Sequence, residues 1–83
     1  MAKYANLTAS TLVKTGTGIL KGMYVNSTTA GTIKFWDKTT EATPVINNTI
    51  TPAIGYHNLG DAAFTTGLYA TIGGTLDVTL YYD

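Results

Sequence analysis

One imidazole, two serines and five scattered carboxylates are the side chains from which hydrolytic or metal chemistry would have to be built in this 83-residue chain. A catalytic triad needs a nucleophile, a base and an orienting acid. His57 is the sole histidine, and neither Ser10 nor Ser27 sits in a nucleophile-elbow sequence. His57 therefore reads as a surface or interface residue following Gly55-Tyr56. With no cysteine, a zinc site would need two or three carboxylates to converge on that histidine. Asp37, Glu41, Asp61, Asp77 and Asp83 show no EF-hand spacing. Gly16-Thr17-Gly18 lacks the third glycine of a dinucleotide motif, and no helix pattern follows it, so it reads as a turn. Asn6-Leu7-Thr8, Asn26-Ser27-Thr28 and Asn47-Asn48-Thr49 match the glycosylation triplet, but the chain has 17 threonines and such matches are expected by chance. These residues predict no enzyme, no cofactor and no metal.

The elements that would position any site read as strands. Thr, Tyr, Val, Ile and Phe dominate, which favours pleated sheet. No window sustains an i, i+3, i+4, i+7 apolar pattern. Strand candidates fall at residues 4–8 (or on to 14), 19–26, 32–37, 44–51, 53–59, 67–72 and 75–82. Turns are expected at 15–18 and 27–31, a polar loop at 38–43, and a short helix or turn at 60–64. Pro44 and Pro52 belong at strand ends, because proline cannot donate to a ladder. Gly73-Gly74 suits a two-residue hairpin turn. Ile33 and Phe35 point one way and Thr32, Lys34 and Trp36 the other. Leu76, Val78, Leu80 and Tyr82 alternate with Asp77, Thr79 and Tyr81, a half-buried pattern. Gly31-Thr32-Ile33 running to Phe35-Trp36-Asp37 is echoed by Gly74-Thr75-Leu76 running to Tyr81-Tyr82-Asp83, as in two similar hairpins. The expected fold is one all-β domain over residues 1–83: an antiparallel sandwich, jelly-roll-like, or a small barrel of about seven to eight short strands.

Composition narrows the partners. Five lysines, no arginine and five acids leave the chain neutral. A nucleic-acid groove needs basic side chains to displace counterions, so no nucleic acid is expected. No apolar run approaches the ~20 residues that span a bilayer, and residues 1–6 lack a hydrophobic signal core, so neither membrane nor secretion is expected. A folded monomer of this mass should bury ~8,000 Å². If about 60% of that is apolar, burial contributes ~120 kcal/mol, against ~125 kcal/mol for ordering the chain. With no disulfide to add stability, association with a partner is expected.

The aromatics are the more informative set. Trp36 lies opposite Ile33 and Phe35, and Tyr81 and Tyr82 take opposite faces of one strand. A strand with aromatics on both faces is covered on both, and in so small a chain one cover can be another protein. Tyr4, Trp36, Tyr56, His57, Tyr81 and Tyr82 are the candidate interface residues. A Thr-rich, lysine-only surface suits close docking on a large array rather than capture of polyanions.

Three stretches carry a resemblance. They are Leu12-Val13-Lys14-Thr15-Gly16-Thr17-Gly18, Gly22-Met23-Tyr24-Val25-Asn26-Ser27 and Ala30-Gly31-Thr32-Ile33-Lys34-Phe35-Trp36-Asp37. Ile50-Thr51-Pro52-Ala53 and the run from Gly67 to Val78 extend it. Together they resemble small β-rich virion proteins of tailed bacteriophages, of the head-decoration or fibre-associated kind. The resemblance implies a β-sandwich unit, commonly trimeric, on the virion exterior, made in the host cytoplasm, and it brings no catalytic residue. The expected role is a capsid decoration (cement) protein, a homotrimer on the outer surface of the major capsid protein. The alternative is a fibre, baseplate or receptor-binding module that stacks Tyr56 and Trp36 on a host glycan and hydrogen-bonds it through Asn58 and Asp61.

Overall fold

The computed structural model describes residues 2–83, which form six antiparallel strands and no helix. They are β1 (Lys3–Leu7), β2 (Thr11–Thr15), β3 (Gly18–Trp36), β4 (Val45–Ile50), β5 (Gly55–Phe64) and β6 (Gly67–Tyr82). The two long strands, β3 and β6, pair along nearly their whole length, from Leu20↔Tyr82 to Trp36↔Tyr69. Every other strand pairs with one of them. β5 lies on the first half of β3 and β1 on the second half of β6, giving one four-stranded layer, β5-β3-β6-β1. β4 lies on the second half of β3 and β2 on the first half of β6, giving the other layer, β2-β6-β3-β4. The expected all-β sandwich is therefore present, with eight strand segments drawn from six strands.

A bend in the long ribbon turns one continuous sheet into two layers. Its register shifts between Thr29↔Thr75 and Thr32↔Gly73. Ala30 (φ 52°) and Gly74 (φ 67°) take left-handed conformations there. Strands that switch layers through bulges are a common way to build a sandwich corner. Side chains from both halves of each long strand meet inside: Leu20, Met23, Val25, Ile33 and Phe35 from β3, and Leu68, Ala70, Leu76, Val78 and Leu80 from β6. Leu7 and Phe64 complete the buried cluster.

Three local expectations are corrected. Gly73-Gly74 is not a hairpin turn, and residues 67–72 and 75–82 are one strand. Residues 27–31 are likewise inside β3 and not a turn. In each case the glycine serves a bend in a strand whose partner lies some forty residues away, and that bend lets both halves bury their apolar face in one core. Residues 60–64 are strand, not helix, with Gly60 and Asp61 at positive φ where the β3–β5 register shifts. Phe64 ends this segment fully buried.

The pairings contain an internal two-fold relation. Exchanging β2, β3 and β4 with β5, β6 and β1 reproduces every ladder. The equivalent turns before β3 and β6 meet, with Gly16 N–H donating to the Thr66 carbonyl at 2.9 Å. Asp83, after β6, pairs with Ile19 at the start of β3, its N–H donating to the Ile19 carbonyl at 2.8 Å. Asp37, after β3, holds the start of β6 in the equivalent place, but through its carboxylate. The echo between residues 31–37 and 74–83 thus marks the second halves of two long strands, and not two hairpins.

Candidate functional site

Alternation along the strands decides which aromatics reach the surface. In the β5-β3-β6-β1 layer, Met23, Val25, Val78 and Leu80 point inward, so Tyr24, Asn26, Asp77, Thr79 and Tyr81 point outward. Tyr4 stands opposite Tyr81, and Tyr56 opposite Tyr24. Four tyrosines thus share one outer face. Tyr4 is 75% exposed, Tyr56 57% and Tyr24 43%.

Two features hold this face in shape. Gly22 lies between Tyr81 and Asn58 in the register, and the Tyr56 ring lies across it. A Cβ at Gly22 would collide with the Tyr56 hydroxyl and sit 2.9 Å from the His57 carbonyl oxygen. The Tyr56 and Tyr81 rings are then 6.4 Å apart between centroids and tilted by 43°, within the range of favourable aromatic pairs. Beside them, Asn6 and Asn26 donate to the same oxygen of Asp77, at 2.7 and 3.2 Å. Both amides also reach the Thr79 hydroxyl, at 3.4 and 3.2 Å. No lysine forms an ion pair with Asp77 among the described residues. The face is therefore tyrosine-rich, amide-bearing and marked by one carboxylate.

Trp36 lies on the opposite outer face, in the row Leu12–Tyr69–Trp36–Val45. Its indole N–H donates to the Thr71 hydroxyl at 2.9 Å, and that hydroxyl donates to Glu41 at 2.8 Å. The Lys34 ammonium sits 4.2 Å from the indole centroid, a cation–π contact. The Trp36 ring is thus fixed by its own chain, with its donor satisfied and one side covered.

The six candidate interface residues are accordingly divided. Tyr4, Tyr56 and Tyr81 come together, and Trp36 stands on the other side of the sandwich. Tyr82 packs inward against the core cluster. His57 alternates with Tyr56 and pairs with Met23 on the inward side of β5. Its Nε2 donates to the Ala53 carbonyl at 2.8 Å, which fixes the proton on that nitrogen. Of the residues expected to hold a glycan, Tyr56 and Asn58 share the tyrosine face and Trp36 does not. Tyr24 was missed, although its alternation with Met23 and Val25 carried the signal. Among the described residues, no three His, Asp or Glu side chains converge, and no pocket opens in the surface.

No family model matches this chain, and no curated protein or solved structure matches it.

Proposed function

We propose that this chain is a virion structural protein, a capsid decoration protein that docks as a homotrimer on the outer surface of the major capsid protein. The observation that carries the reading is the exposed face of Tyr4, Tyr24, Tyr56 and Tyr81 beside the short edge strand β1. Tyrosines supply large contact area at low ordering cost and are enriched where proteins meet. An open edge strand can add backbone pairing to a neighbour. Docking across a joint between capsid subunits stabilises the shell by linkage, because the cement binds the assembled state alone. At a free concentration a hundred times Kd this amounts to ~2.7 kcal/mol per site.

The test is the copy number and position of the chain in purified particles, by quantitative mass spectrometry with low-resolution cryo-EM. Many copies spread over the head are expected. Particles reconstituted with Tyr24→Ala/Tyr56→Ala chains should lose at least tenfold in occupancy, while the free protein, which gives up the Tyr56–Tyr81 pair, loses about 1 kcal/mol and stays folded. A few copies confined to the tail would sink the decoration reading.

One observation favours a second reading, a receptor-binding module for host glycans. Tyr24 and Tyr56 offer stacking surfaces next to the Asn6–Asp77–Asn26 hydrogen-bonding cluster. Low copy number at the virion periphery, with binding to host cells, would support it.

A further inference from the structure

We propose that the tyrosine face receives an arginine side chain of another protein, its guanidinium hydrogen-bonded to Asp77 and laid over the Tyr24 ring. The inference rests on the reading of this face as a docking surface and names the chemistry of what docks there.

The polar groups beside the tyrosines have spent their donors and kept their acceptors. An ionised carboxylate only accepts, so the Asn6 and Asn26 amides turn their nitrogens towards Asp77, at 2.7 and 3.2 Å. Both nitrogens meet the same oxygen, Oδ1. Their other contacts are the Val78 carbonyl and the Thr79 hydroxyl. No described residue donates to the second Asp77 oxygen, and the two amide oxygens are turned away from the carboxylate. Asn6 and Asn26 are exposed and Asp77 is half-buried, so a ligand can reach these acceptors.

The chain supplies no cation to them. It contains no arginine. Lys21 lies between Asp61 and Asp83, at 3.9 and 3.5 Å, and Lys14 donates to the Asp83 carbonyl. Lys34 covers Trp36 on the opposite face. Lys3 alternates with Tyr4 and takes the other side of β1, and Lys38 follows β3. The opposite face thus has an aromatic ring with its own cation, whereas the tyrosine face has rings and an anion.

Complementarity then selects arginine. A guanidinium presents five donors in one plane and no acceptor, which suits a carboxylate oxygen flanked by two amide oxygens. Tyr24 pairs with Thr79, two residues along β6 from Asp77, and such diagonal neighbours stand ~7–8 Å apart. A guanidinium on the carboxylate therefore comes within the ~6 Å of a ring centroid that cation–π attraction needs. A lysine ammonium is a compact point charge and cannot match the planar array, and a neutral sugar leaves the Asp77 charge uncompensated. Copies of this chain have no guanidinium to offer, so the partner is a different protein.

The experiment titrates the isotope-labelled full chain with N-acetylarginine amide and follows it by NMR. Saturable shifts are expected at the Asn6 and Asn26 side-chain amides and at Tyr24. N-acetylcitrulline amide, of the same shape without the charge, should leave them in place. Asp77→Asn should weaken arginine binding about tenfold or more, and Tyr24→Leu should weaken it less. Absence of saturable shifts overturns the proposal, as do equal shifts with citrulline. Shifts with a neutral methyl glycoside in place of arginine would overturn it in favour of a glycan. A drop in oligomeric mass on Asp77→Asn, read by light scattering, would show the face to lie between copies and also overturn it. Arginine binding by a chain missing from the heads of particles would leave this inference standing and remove the decoration reading. Head occupancy that is high and indifferent to Asp77→Asn would do the opposite.

Discussion

The carboxylate of Asp37 accepts the backbone N–H of Thr66 at 2.8 Å, and so ties the end of one long strand to the start of the other. The same carboxylate takes the N–H groups of Thr65 and Gly67, at 3.0 and 3.3 Å, and the Thr65 hydroxyl at 3.3 Å. Desolvation pushes the Asp37 carboxyl up, but the donors from Thr66, Thr65 and Gly67 outweigh it and hold it below its ordinary value.

The direction of that shift fixes a pH dependence. A carboxyl whose folded value is depressed adds stability that is fully present above its unfolded value and is lost as pH falls through the folded one. Asp37→Asn keeps one acceptor oxygen and loses the charge. It should cost about 1 kcal/mol at neutral pH, and the gap from the parent should close on acidification below the ordinary carboxylate value. Urea unfolding of both proteins at pH 7 and pH 3 measures this. A gap that is the same at both values would show that the charge contributes nothing.

Glycines at the strand starts and mid-strand should differ in their tolerance. A Cβ at Gly18 would collide with the Asp83 carbonyl oxygen and lie 2.5 Å from the buried Phe64 ring. Neither can move far, so Gly18→Ala should cost about 3 kcal/mol. At Gly22 the half-exposed Tyr56 ring can swing away, but the His57 backbone carbonyl oxygen at 2.9 Å must also give, so Gly22→Ala should cost about 2 kcal/mol, less than at Gly18, and expose Tyr56. Urea midpoints and tyrosine fluorescence separate the two, and an equal cost at both sites would contradict this account.

The sandwich corner contains an improvable residue. Ala30 holds φ 52° while exposed, a conformation costing an L side chain ~1–2 kcal/mol. Ala30→Gly removes that cost and gives back part of it in chain entropy, for a net gain of about 0.5–1 kcal/mol. A melting temperature about 4 °C higher is expected. Gly74→Ala should do the reverse, since it combines φ 67° with a collision against the Ala30 carbonyl oxygen. A stability loss on Ala30→Gly would show that the corner does not adopt this geometry.

The two-fold relation predicts that strand order can be rotated. Lys3 faces Tyr82, so joining Asp83 to Ala2 would make β6 and β1 a hairpin. A chain so joined and reopened between Ala53 and Ile54 keeps every pairing. It should give the parent far-UV circular dichroism and a cooperative unfolding transition, and a permuted chain without such a transition would refute the prediction.

The pattern of faces was readable from local alternation. Ile33 and Phe35 are buried against Thr32, Lys34 and Trp36, and Leu76, Val78 and Leu80 likewise lie inward. The path of the chain between layers was not readable. Gly73-Gly74 and residues 27–31 have the composition of turns, and only the distant partner strand decides that each is a bend. The same limit applied to the site. Trp36 is taken out of the tyrosine cluster by the bend at residues 29–32, which carries the second half of β3 into the other layer, where Thr71 and Glu41 fix its ring. Tyr24, by contrast, differs from its neighbours Met23 and Val25 in a way that strand alternation alone reveals.

The pairing of Lys3 with Tyr82 also sets how the molecule answers force. Traction applied at those two residues acts across the β1–β6 ladder rather than along it. The bonds then carry the load one after another, from Lys3 towards Leu7, as a zipper opens. The β3–β6 ribbon beneath stays unloaded until that edge has peeled away. A tug on this pair of residues therefore meets a soft, stepwise yield at one margin before it meets the stiff centre.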